Sequence, residues 1–158
     1  MKTLLCFTLA AVASLSGLSH AQSVDRKDAG PGSARENLVG AWRLAWMEEP
    51  GPDGKLTRIT GRKGMLLYTR DGHMSVQLMY PESESALSNE YVQSGYEASF
   101  GSYEVNEESH TVTHHVDGPI TRALVGKDLP RVYRFSDGHL IIQSARPDEH
   151  WSVTWEHY

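Results

Sequence analysis

Among the side chains able to do chemistry, histidine stands out first: the chain carries eight, and His110, His114 and His115 crowd into one stretch, HTVTHHVD. The cluster invites a metal hypothesis, but strand geometry opposes it. Neighbours on a strand point to opposite faces, which separates His114 from His115, while His110 and His114 share a face but stand ~13 Å apart at ~3.3 Å per residue. No metal site is expected. A G-x-S-x-G elbow, a Gly-rich phosphate loop and an H-E-x-x-H motif are all missing, so the common hydrolase, nucleotide and metalloprotease readings lack support and no cofactor is expected. The single cysteine, Cys6, sits in the N-terminal apolar run, so beyond that run there is no thiol for a disulfide, a nucleophile or a thiolate metal site. The paired carboxylates Glu82/Glu84 and Glu107/Glu108 fall in turn-rich sequence, where a solvated charge explains them.

The polar residues that remain are those phased inward among apolar neighbours: Tyr103, His114, Arg131 and Tyr133, joined by Tyr68 and Gln77 if the mixed face of their hairpin lines an interior. A few convergent polar groups in an apolar cavity are what a small-molecule site looks like. The structural alternative is that they satisfy one another, with Arg131 stacked on a tryptophan ring. His114 is the candidate centre, because its phase with Val112 and Val116 turns it inward while His115 follows Thr111 and Thr113 to solvent. Burial favours the neutral imidazole. In a binder that ring fixes a ligand's polar end. In an enzyme it is the candidate catalytic base, with Arg131 or Tyr103 supporting an oxyanion.

The elements that must position these groups are read from period-two alternation and turn residues. Residues 64–80, GMLLYTRDGHMSVQLMY, hold two apolar runs joined by Asp71-Gly72, a strong hairpin signal. A two-residue turn there sets Thr69 against Met74, Leu67 against Val76 and Met65 against Leu78. Leu66, Tyr68 and Gln77 then lie on the opposite face. Residues 131–145 repeat the device around Asp137-Gly138, and residues 99–105 and 110–117 form a third hairpin around a four-residue loop. Residues 38–46 alternate Leu38, Gly40, Trp42, Leu44 and Trp46, residues 56–60 suit a short edge strand, and Trp151, Val153 and Trp155 share one face of a closing strand. Between them, residues 81–98 lose the period of two and suit a short helix or ordered loop, with Ser88 as an N-cap. All four tryptophans lie in the first and last strands. If those strands are neighbours the sheet closes, giving an all-β, up-and-down antiparallel barrel of eight or nine strands with one short helix. An open sandwich is the alternative.

Residues 1–21 read as a secretory signal peptide: Lys2, an apolar run from Leu4 to Leu18, and Ser19-His20-Ala21 as a small-x-small cleavage pattern before Gln22. Residues 22–36, polar and rich in Gly, Ser and Asp, read as a disordered leader, and 37–158 as one domain. The expected location is the periplasm or the outside of the cell, with no integral membrane segment. The net charge of −5 and pI near 5.9, with no basic cluster, exclude a nucleic-acid binder; the expected state is a monomer or weak dimer.

Gly40-Ala41-Trp42 resembles the G-x-W signature of lipocalins. The chain from Leu38 to Tyr158 is similar to the bacterial and fungal lipocalin-like domain family, through LVGAWRL, YTRDGHMSVQLMYP, FGSYEVN, TVTHHVDG and TWEHY. The resemblance implies a small calyx-shaped β-barrel whose interior receives a small apolar molecule. It implies no particular ligand, since the second motif region of true lipocalins is not recognisable. The expected function is therefore an exported protein binding a small hydrophobic molecule. An isomerase or cyclase using the same cavity, or a packed barrel serving as a structural or interaction module, are the alternatives.

Overall fold

The computed structural model describes residues 32–158. The segments expected to be a signal peptide, residues 1–21, and a leader, up to residue 31, lie outside the described residues. Nine strands follow in order: β1 Gly40–Pro50, β2 Leu56–Ile59, β3 Lys63–Tyr68, β4 His73–Met79, β5 Tyr96–Asn106, β6 Thr111–Pro119, β7 Asp128–Ser136, β8 His139–Ser144 and β9 Ser152–His157. All neighbours are antiparallel, and β1 pairs with β9, so β1 and β3 to β9 close an eight-stranded barrel. Closure gives each of the eight barrel strands two neighbours, while β2 has only one. The extra strand, β2, pairs with β1 at residues 47–50, whereas β3 pairs with it at 40–43. Among the described residues no helix is long and apolar enough to cross a membrane.

Each hairpin follows its turn chemistry. Asp137 and Gly138 both adopt positive φ and join Ser136 directly to His139, the two-residue turn expected. Asp71-Gly72 behaves differently. Only Gly72 takes positive φ, and Thr69 closes a longer loop: its N–H donates to the His73 carbonyl at 2.9 Å and its hydroxyl accepts from the His73 N–H at 3.0 Å. The register therefore moves by one residue, pairing Tyr68 with Met74 and Leu66 with Val76. Leu66 and Tyr68 turn inward with Met74, Val76 and Leu78, while Met65 and Gln77 are exposed outside.

A second correction concerns β1. Leu44 lies opposite Trp155 but Trp46 lies opposite Thr154, so Ala45 is an extra residue, a β-bulge, and the alternation reverses beyond it. Trp42 stays inside. Trp46 goes outside, under the Arg58 guanidinium at 3.9 Å and beside His139, and Met47 takes its place in the core. The four rings therefore do not pack together at one end.

The short helix is not in residues 81–98 but at α1, Ala34–Leu38, within and just after the segment expected to be a leader. Its N-terminus is a capping box: Ser33 accepts from the Glu36 N–H at 3.2 Å, and Glu36 accepts from the Ser33 N–H at 3.1 Å. The helix closes one end of the barrel. Leu38 is fully buried, and its carbonyl accepts from Trp42 Nε1 at 2.8 Å. Glu107, in the β5–β6 turn, accepts from the Ala34 N–H, and Arg35 lies over the Tyr103 ring.

The opposite end is covered by residues 81–95. Here the chain forms one 3₁₀ turn, Glu82–Glu84, and then an ordered loop. The Asn89 side-chain oxygen takes the N–H groups of Tyr91 and Val92, which competes with a helical backbone, and Ser94 and Gly95 both have positive φ. Ser88 accepts from the Ser94 N–H instead of capping a helix.

Candidate functional site

The loop-covered end encloses a cavity of about 150 Å³. Its walls are mainly apolar, with Leu66, Val76, Leu78, Ile142, Val153 and Trp155 among them, joined by Tyr80, Tyr91, Val92 and Trp151. The polar groups on its surface include Glu97 from β5, His114 from β6, Arg131 from β7 and Glu49 from β1.

His114 is buried, and its Nε2 lies 2.7 Å from the Tyr68 hydroxyl. A ring protonated on Nδ1 accepts from Tyr68, and one protonated on Nε2 donates to it. Burial first, and then the nearby Arg131 and His115, pushes the imidazole down to about 3. That direction favours the neutral ring near physiological pH and opposes its use as a base there. Burial also pushes the Tyr68 hydroxyl up, so it stays protonated. His115 points outward, with Nδ1 2.7 Å from Asp128.

Arg131 is 6 % exposed. Its guanidinium lies 5.3 Å from the Tyr91 ring centre and 5.0 Å from that of Trp151, the stacking that the structural alternative anticipates. It donates a long hydrogen bond, 3.5 Å, to the Pro130 carbonyl and interacts with the Tyr91 hydroxyl, and among the described residues it forms no ion pair with a carboxylate. Glu97 faces the same space. Burial pushes its carboxyl up to about 7, against smaller opposing pulls from Arg131 and Arg62. It makes no hydrogen bond or ion pair among the described residues, and it is half-buried and lines the cavity.

Of the six residues expected at a site, His114 and Arg131 line the cavity. Tyr68 stands one hydrogen bond behind His114. Tyr103 packs edge-on against Tyr68 and donates to the Thr69 carbonyl at 2.9 Å, toward the closed end. Tyr133 is buried between His110 and Phe135, with its hydroxyl unpartnered among the described residues. Gln77 is exposed outside the barrel, a consequence of the three-residue turn. Glu97 escaped the sequence reading, although it lies in phase with Tyr103 through Ser99 and Gly101, because the strand begins at Tyr96 and not at Ser99.

The covering loop is held from several sides. Arg62, stacked over Tyr80, pairs with Glu84 at 2.7 Å and with Glu49. Thr121 donates to the Glu90 carbonyl at 2.7 Å, Arg146 pairs with Glu90 at 3.1 Å, and Tyr91 donates to Glu149 at 3.1 Å. Among the described residues no group of three or more His, Cys, Asp and Glu side chains is arranged to hold a metal ion.

Residues 39–157 match the lipocalin-like domain family. The chain belongs to this family. Solved structures share its outline at low identity. A lipocalin-like protein from Bacteroides uniformis is 11 % identical, with 77 % of this chain and 99 % of that chain covered and a TM-score of 0.47. An uncharacterized protein from Bacteroides eggerthii is 13 % identical, with coverage of 77 % and 99 % and a TM-score of 0.46. The fluorescent protein UnaG is 13 % identical, with coverage of 78 % and 98 % and a TM-score of 0.39. No curated protein matches the chain.

Proposed function

We propose that this lipocalin-like protein is an exported binding protein that holds a small hydrophobic molecule in its barrel. The observation that carries this reading is the apolar-walled cavity beneath a loop fastened by hydrogen bonds and ion pairs. A barrel of eight strands is narrow enough to be filled by its own side chains, so retained space argues against a merely packed module. Its volume is that of a single ring: an apolar cavity of about 150 Å³ in another protein takes up benzene. Export is supported by the N-terminal sequence pattern.

Titration with toluene, followed by tryptophan fluorescence, tests the binding reading, since Trp151 and Trp155 both line the cavity. A saturable change that Val153→Trp, which fills the space, abolishes is the expected result. A response that is linear in toluene and unaffected by the filled cavity would sink it. An isomerase or cyclase reading draws on one observation, the proton affinity of Glu97 near neutrality. In that case Glu97, and not His114, is the proton carrier, and Glu97→Gln abolishes turnover of a co-purified compound.

A further inference from the structure

Arg131 is a buried cation that forms no ion pair among the described residues. A charge taken out of water is costly unless it is paired and hydrogen-bonded. The stacked rings of Tyr91 and Trp151 offset part of that cost. The long bond to the Pro130 carbonyl adds little. Glu97 and Glu49 also line the cavity, but neither is within ion-pair distance of Arg131, and burial pushes the Glu97 carboxyl up to about 7. The guanidinium therefore has open donors beside a space the size of one ring.

We propose that the molecule held here is a small organic acid, one ring or a short chain in size, with its carboxylate against Arg131 in the space that Glu97 also lines. This deepens the binding reading above and rests on it. A carboxylate matches the planar donor fork of arginine, which can hold it through two parallel hydrogen bonds. The apolar walls then cover the rest of the molecule. Glu97 sets a condition on binding. Ionised, it competes for the positive field of Arg131 and repels the incoming carboxylate; protonated, it is neutral and can donate a hydrogen bond.

The other titratable or charged groups around Glu97 do not change state between pH 6 and 8 in a way that mimics this. His114 on β6 is held down to about 3 and is neutral throughout. Tyr80, at the end of β4, and Tyr91, on the covering loop, are both pushed up by burial and stay protonated. Arg62, between β2 and β3, keeps its charge and is occupied by Glu49 of β1 and by Glu84. Binding of the acid is thus coupled to proton uptake by Glu97. If only the protonated form is competent, apparent affinity falls about tenfold from pH 6 to pH 8.

The test compares benzoate with benzamide, its neutral counterpart of nearly equal shape, by calorimetry at pH 6 and pH 8. Benzoate is expected to bind at least tenfold more tightly than benzamide at pH 6, and to lose about tenfold by pH 8. Glu97→Gln is expected to remove the pH dependence of benzoate binding, whatever affinity remains. Arg131→Gln is expected to bind benzoate no better than benzamide; the wild-type comparison does not depend on whether this variant folds. Equal binding of the two probes to the wild type overturns the acid assignment while leaving the binding reading intact. An acid preference that is the same at pH 6 and pH 8 overturns the role given to Glu97. If neither probe binds and toluene also fails, both readings fall together.

Discussion

The carboxyl of Glu97 makes a prediction about stability that is independent of any ligand. When folded it keeps its proton up to about pH 7, against an ordinary value of 4.5. Between those values the folded chain binds more protons than the unfolded one, so stability falls as pH rises. The contribution is complete below about 4.5 and lost above about 7. At about 1.4 kcal/mol per pH unit the ceiling is about 3 kcal/mol. Glu97 is half-buried and lines the cavity, and water there screens part of the effect, which brings the expected loss to about 1–2 kcal/mol. Glu97→Gln keeps the shape and removes the titration. Urea unfolding of both proteins at pH 5 and pH 8 reads the difference. The variant should gain about 1–2 kcal/mol relative to wild type on going from pH 5 to pH 8. Asp71, Asp148 and Glu149 all have lowered carboxyl values, so what they contribute is lost only as pH falls further, outside this window. A relative stability that stays constant between the two pH values, or shifts the other way, would refute the placement of Glu97 in a poorly solvated site.

The bulge in β1 predicts an unequal pair: Trp42→Ala should cost about 3–5 kcal/mol as a core truncation, and Trp46→Ala about 1 kcal/mol for its contact with Arg58. Equal losses in thermal or urea unfolding would show that the strand does not reverse its alternation at Ala45. Export predicts cleavage after Ala21, so N-terminal sequencing of protein recovered outside the cytoplasm should begin at Gln22. An intact chain starting at Met1 would contradict it.

Closure of the barrel was legible because the evidence for it repeats along the chain: three hairpins, an edge strand, and tryptophans on the first and last strands. The errors came from features that period-two alternation does not encode. Asp71-Gly72 and Asp137-Gly138 are the same dipeptide, yet the Thr69 hydroxyl lengthens the first turn and moves Gln77 outside. Leu44, Ala45 and Trp46 continue an unbroken pattern, and the bulge among them is visible only in the register against β9. Other signals were present but passed over. Ser33-Ala-Arg-Glu36 is a capping-box sequence inside a stretch whose composition reads as a leader. Glu97 lay in phase with Tyr103, one strand length upstream. His114 was found by phase alone, but its weak basicity depends on burial and on Arg131, which no local pattern reports.

The change of partner along β1 divides the barrel wall into two kinds of material. From Gly40 to Arg43 the strand is laced to β3 by backbone hydrogen bonds; from Met47 onward that side is given to β2. Near the mouth, then, side chains bridge what the backbone does not: Arg62 spans Glu49 on β1 and Glu84 on the covering loop. A ladder of amides must be broken cooperatively, whereas a clasp of three side chains can open by rotation about single bonds. The rim at this end is thus fastened by a buckle of side chains that can open while the backbone ladders of the barrel stay paired.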